Sequence, residues 1–210
     1  MKSEERRDFN KTSQQWDADQ FRLNLANGVA AAIIREANPS KEMAVLDFGC
    51  GTGLIALRLQ PLVKTIIGVD SSQGMLAVLE EKIKTQGLAN IRTAFVDFEK
   101  GDRIAEKFDL IVCNMVLHHV PDTSSLFRLW HEILAPGGRL CFADLDREDG
   151  SFHSDKTGVF HFGFDREHLR NLLHSTGFSG LRDVTATTVS RDVEGKGKCE
   201  FPVFLMIADT

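Results

Sequence analysis

The 210-residue chain contains no tyrosine, no close pair of cysteines, no long apolar run and no excess of basic charge. The missing tyrosine is set against 15 phenylalanines, a skew that points to no particular chemistry. The four cysteines, Cys50, Cys113, Cys141 and Cys199, are too widely spaced to form a zinc-type pair. Cys113 and Cys141 fall inside apolar runs and read as buried strand thiols. Reduced thiols suit a cytoplasmic protein. The longest apolar runs, residues 26–34 and 203–208, fall far short of a membrane span. Residues 1–10 are highly charged and read as a solvated tail or frayed helix, not a signal peptide. Basic residues number 25 against 30 acidic ones, for a net charge of −5. That balance argues against nucleic acid as a partner, although it leaves room for a local basic patch.

What is present reads as an ordinary folded domain. Hydrophobic residues make up 42% and charged residues 26%. The length suits one domain with at most a small appendage. A helix is predicted over residues 20–36, where Leu25, Val29 and Ile33 recur at spacing four. Pro39 and Ser40 should end it. Strands are then predicted at 43–48, 65–69, 91–96, 110–114 and 139–143. They alternate with helices at 54–59 (closed by Pro61), after Ser71 and Ser72, and along Leu126, Trp130, Ile133 and Leu134. This alternation argues for a parallel sheet covered on both faces. A helix over 166–176 and two strands at 181–190 and 201–208 complete the chain. The charged link at 191–198 reads as a hairpin, which makes the last strand antiparallel.

Chemistry-bearing residues gather where each early strand ends. The first strand runs into Gly49-Cys50-Gly51-Thr52-Gly53. Glycines there permit positive φ and close approach of a ligand to the backbone. The G-x-G-x-G spacing differs from the pyrophosphate-binding G-x-G-x-x-G. Asp47 precedes the loop and would favour a cationic part of a ligand. Asp70 ends the second strand, placed to accept from two ribose hydroxyls, with Ser71 beside it. Asp97 follows the third strand and could accept from an adenine amino group while Phe98 packs on the ring. The fourth strand ends in Asn114-Met115-Val116-Leu117-His118-His119.

Taken together, VLDFGCGTG at 45–53, GVD at 68–70, VDFE at 96–99, FDLIVCNMVLHHV at 108–120 and LAPGGRL at 134–140 resemble the class I S-adenosylmethionine-dependent methyltransferases. The likeness is to the broad small-molecule type 11/12 group and covers roughly residues 16–210. It implies a three-layer, Rossmann-like α/β fold with a seven-stranded, mainly parallel sheet and an antiparallel last strand. It implies S-adenosyl-L-methionine as cofactor. Gly49 and Gly51 would lie along the methionine part, Asp70 at the ribose, and Asp97, Phe98 and Met75 near the adenine. Asp47, Ser71, Asn114 and Met115 complete the expected cofactor set. The expected division is a helical lid region, 1–38, and a cofactor-binding domain, 39–210.

Methyl transfer is an in-line displacement whose leaving group departs neutral, so positioning supplies most of the effect. A base is needed only when the acceptor must lose a proton. His118 and His119 stand at the right strand end to act as that base. Trp16, His153 and His161 are expected on the acceptor side. The aromatic stretch of Phe152, Phe160, Phe162 and Phe164 would wall a site for a small molecule. Asp144 and Asp146 could orient a substrate or cap a turn. The residues leave open a protein or nucleic-acid methyltransferase, or a non-catalytic cofactor-binding module. The absence of an N-P-P-[YF] run after the fourth strand weakens the nucleic-acid alternative. A nicotinamide dehydrogenase is disfavoured by the glycine spacing. The expected protein is a monomer or homodimer with neither a metal nor a membrane partner.

Overall fold

The computed structural model describes residues 6–210; Lys2, Glu4 and Glu5, expected in a tail or frayed helix, lie outside them. Seven strands form one sheet: Ala44–Phe48 (β1), Thr65–Asp70 (β2), Ile91–Phe95 (β3), Phe108–Asn114 (β4), Leu134–Leu145 (β5), Ser179–Val193 (β6) and Gly197–Asp209 (β7). Their spatial order is β3-β2-β1-β4-β5-β7-β6. All neighbours pair parallel except β7, which is antiparallel to both β5 and β6. The order reverses between β1 and β4. In a doubly wound sheet, the crevice beyond the carboxyl ends at that reversal is where ligands bind.

The strands alternate their side chains between two apolar layers. Val45, Val112, Cys141 and Leu205 enter one, while Leu46, Ile111, Phe142 and Phe204 enter the other. Gln20–Ala37 (α1), Ala56–Leu59 (α2) and Gln73–Gln86 (α3) contribute to the first layer. Thr123–Ile133 (α4) and Arg166–Ser175 (α5) contribute to the second, around the fully buried Trp130. Among the described residues, no helix is long and apolar enough to cross a membrane.

Several boundaries depart from the expectations. Asn38, in the left-handed region at φ 48°, ends α1 by donating its N–H to the Ile34 carbonyl, before Pro39 is reached. α2 starts at Ala56 rather than 54 but ends at Leu59 as expected, with Pro61 just beyond it. That proline sits in the 3-10 turn Gln60–Leu62, where its fixed φ fits and its missing N–H costs nothing. The supposed link at 191–198 is mostly strand. Arg191, Asp192 and Val193 pair with Cys199, Lys198 and Gly197, leaving a short turn. Charged side chains are tolerated there because the ribbon is largely exposed and the ladder needs only backbone groups. Residues Phe9–Ala18 form a 3-10 helix packed on α3.

Candidate active site

A cavity of about 560 Å³ opens at the carboxyl ends of β1, β2 and β4. Leaving β1, the chain turns through Gly49 (φ 70°) and Gly51 (φ 52°). Their needs differ. A Cβ on Gly49 would lie 2.4 Å from a Val116 methyl, so packing excludes one. A Cβ on Gly51 would meet nothing within 4 Å and would project into open space. The turn is pinned by backbone bonds from Gly49 and Cys50 to the Val69 carbonyl. Asp70 ties it further, accepting from the N–H of Gly51 at 2.9 Å and of Ser72 at 2.8 Å. Ser72, not Asp70, caps α3 through its side chain. Burial pushes the Asp70 carboxyl above its usual range.

Asp47 is fully enclosed and accepts from the Ala56 N–H at 3.1 Å. Burial first, and the charge of Asp70 after it, raise its carboxyl to about 7. Asn114 ends β4 with its Oδ1 buried and unpartnered among the described residues. Met115 follows at φ 57°, rare for a side-chain-bearing residue, and its N–H donates to the Ala143 carbonyl at 2.9 Å. Met75, Ser71 and Phe98 also line the cavity. Phe98 stands edge-on to Phe48, with centroids 6.5 Å apart.

Asp97 lines the cavity too, but its carboxylate already has partners. Arg6 reaches it at 2.8 Å and Lys100 at 3.1 Å. Burial alone would raise this carboxyl; the bonds from Arg6 and Lys100 bring it below the usual range. The acid expected to meet an adenine amino group is therefore bound to a residue expected in a solvated tail.

At the other end of the cavity three imidazoles crowd together. The ring centroids of His118 and His119 are 4.1 Å apart, and those of His118 and His153 are 4.8 Å apart. His118 is buried. Its Nδ1 lies 2.9 and 3.0 Å from the two Asp144 oxygens, and its backbone N–H donates to the same carboxylate. Burial opposes ionisation of Asp144, yet His118 and the N–H groups around it hold that carboxyl below its usual range. An ionised Asp144 requires a proton on Nδ1, so in the neutral ring Nε2 is the acceptor. His119 donates from Nδ1 to the Gly158 carbonyl, and burial followed by the neighbouring His118 lowers it to about 3. His153 is lowered to about 4, again chiefly by burial. Its Nε2 is buried with no partner among the described residues.

Phe9, Trp16, Phe21, Phe152 and Phe160 add rings to the lining. Three residues expected here lie elsewhere. His161 turns its Nε2 to the Val120 carbonyl at 3.0 Å and lines a separate recess with Arg147 and His168. Phe164 belongs to the apolar layer around Trp130, and Phe162 is exposed. Sequence reasoning missed Arg6, Arg22, Arg191 and Phe21, which all reach the cavity. No local pattern marks them, because they arrive from three separate parts of the chain: Arg6 from before the first helix, Phe21 and Arg22 from α1, and Arg191 from β6. Among the described residues, no group of three or more His, Cys, Asp or Glu is arranged to hold a metal ion.

A family profile described as a methyltransferase domain matches residues 21–182. The chain belongs to the methyltransferase-domain family. The cofactor of this family is S-adenosylmethionine, and this member's cavity has features that fit it. The space beyond Gly51, the orphaned Asn114 oxygen and the enclosed Asp47 suit a flat ligand with a cationic amino-acid tail. An uncharacterised methyltransferase of Schizosaccharomyces pombe is 33% identical over 176 residues, covering 77% of this chain and 62% of its own length. A ubiquinone biosynthesis O-methyltransferase of Coxiella burnetii is 33% identical over 147 residues, covering 69% of this chain and 62% of its own. The methyltransferase domain thus spans about three-fifths of the curated relatives it matches. A solved phosphoethanolamine N-methyltransferase 2 of Haemonchus contortus, in complex with S-adenosyl-L-methionine, superposes with a TM-score of 0.72 at 16% identity. That match covers 96% of this chain and 60% of the other and concerns the fold.

Proposed function

We propose that the protein transfers a methyl group from S-adenosylmethionine to a small-molecule acceptor whose nucleophilic atom must lose a proton. The observation that carries this reading is the Asp144–His118 pair, set in the same cavity as the glycine turn and Asp70. When bound, the cofactor supplies a methyl carried on a positively charged sulfur. Gly51, Asp70, Asp47, Asn114 and Met115 would hold it.

His118 Nε2 accepts the proton of the acceptor's hydroxyl, amine or thiol, and Asp144 stabilises the resulting imidazolium. Asp144 acts only through His118 and is a positioning residue. His119 is a poorer base: with Nδ1 donating to a carbonyl and its titration lowered to about 3, it holds a proton weakly. Phe9, Trp16 and Phe152 exclude water and orient the acceptor. The segment Phe9–Ala18 acts as a lid. It is fastened by Asn10 to Ser72 and Gly74, and by Asp17 to Thr52 and Lys82. A cavity of about 560 Å³ shared with a cofactor leaves space for a small molecule rather than a folded partner. The Coxiella relative is named for O-methylation in ubiquinone biosynthesis, which supports a small-molecule acceptor over a macromolecular one.

The test is incubation with methyl-labelled cofactor and fractionated small-molecule extracts. Label is expected in a low-mass product. His118→Ala should lower its rate about 100-fold while leaving binding of S-adenosylhomocysteine within about twofold. Label found only in protein or nucleic acid would overturn the acceptor class. An unchanged rate in His118→Ala would remove the base.

A further inference from the structure

Three arginines line the cavity on the side of its histidines, although the chain as a whole is acidic. Arg7 comes from the segment before the lid, Arg22 from α1 and Arg191 from β6. They are close enough to oppose one another. Arg22 titrates below its usual range, first because it is partly buried and then because Arg7 and Arg191 repel its charge. Gathering like charges in a recess costs free energy, so their neighbours matter.

Arg22 is partly compensated. Asp19 lies 3.4 Å from it, and its guanidinium rests 3.8 Å from the Trp16 ring centroid. Arg7 is near enough to Asp155 to help lower that carboxyl, behind the hydrogen bonds from Thr157. Arg191 forms no salt bridge among the described residues. It is held instead by the Phe152 carbonyl and by the rings of Phe21 and Phe152, each 5.0 Å from its guanidinium. One of its five N–H donors is thereby used, and the planar fork is fixed in place. Beside it, edge-on to Phe152 at 4.9 Å, stands His153 with its buried, unpartnered Nε2.

We propose that the methyl acceptor carries an anionic group, carboxylate or phosphate, bound by Arg191 with Arg22 and Arg7, while its apolar body lies among Trp16, Phe21 and Phe152. This deepens the methyltransferase reading and rests on it. The charge-assisted fork supplies orientation as well as affinity: it anchors one end of the acceptor so that the nucleophile at the other end meets His118. His153 gains the partner it lacks, and the arginine cluster gains the counter-charge that Asp19 and Asp155 provide only in part.

The experiment is calorimetric titration of the full chain, with and without S-adenosylhomocysteine, using phenylacetate, phenyl phosphate and the neutral phenylacetamide. At least one anion should bind about ten- to a hundredfold more tightly than the amide, and the stronger of the two identifies the group. Arg191→Gln should bring that anion to within about twofold of the amide, and Arg191→Lys should retain part of the preference. Arg22→Gln provides an independent loss if Arg191→Gln melts early. Binding of S-adenosylhomocysteine should stay within about twofold in each variant. Equal affinity for all three probes, no measurable anion binding at about 10 mM, or a preference that survives both glutamine variants overturns the proposal. Failure of the wild type to bind S-adenosylhomocysteine would count against the methyltransferase reading instead.

Discussion

The two ends of the cavity are built in opposite ways. The end proposed to hold the cofactor is made of consecutive strand ends: Asp47 in β1 and the glycine turn after it, Asp70 as the last residue of β2, Asp97 after β3 and Asn114 as the last residue of β4. Its parts are tied by backbone bonds, as from Gly51 to Asp70. The end proposed to take the acceptor draws Arg7 and Trp16 from before the sheet, Arg22 from α1, His118 after β4, His153 from the stretch after β5 and Arg191 from β6. Its parts meet through rings and long side chains. A turn defined by backbone geometry admits few residue types, so it leaves a motif. A wall assembled from side chains of remote elements can change its chemistry one residue at a time without disturbing the sheet.

The largest expected effect separates the two halves outright. Gly51→Val should weaken S-adenosylhomocysteine binding by more than about 100-fold, because the side chain enters open ligand space at a positive φ. Calorimetry checks it, and near-normal affinity would show that the cofactor does not use this turn. Asp70→Ala comes next, with a loss of about ten- to a hundredfold. Here the missing carboxylate also releases the Gly51 and Ser72 N–H groups. The smallest effect is on stability and belongs mainly to the acceptor end. His119 and His153 titrate near 3 and 4 in the folded protein, against an ordinary 6.5. The unfolded chain therefore binds up to two more protons there as pH falls from 6.5 towards 4. Asp47, raised from 3.8 to about 7, binds one more in the folded state and offsets half of this. Stability should fall by about 1 kcal/mol for each unit of acidification across that range. Thermal melts across pH should show the fall, and His153→Gln should flatten it. An unchanged slope would mean that His153 is not held neutral by its surroundings.

How much of this was legible in the chain follows the same division. The glycine turn, Asp70, Asn114 and the histidine pair could be located because strand periodicity and turn residues place them at successive strand ends. The antiparallel β7 could be read from its hairpin. The end of α1 was legible to within a residue, but Asn38 as its cap was not, because Pro39 offers a louder local signal. The extension of β6 and β7 through charged residues was missed because exposed ladders do not need apolar alternation. His161 was misplaced because a loop fixes no direction for its side chains. Only the packing sends that ring to the Val120 carbonyl.

The sequence by itself determined the layered α/β fold, the glycine turn and the strand ends that frame the cavity, since backbone conformation and local periodicity write these into short segments. Tertiary structure alone decided that Asp144 would orient His118, that Arg6 would occupy Asp97, and that Arg7, Arg22 and Arg191 would converge. Arg6 and Asp97 are 91 residues apart in the chain. Pairings of that kind depend on where rigid elements come to rest against one another, and no local pattern encodes that.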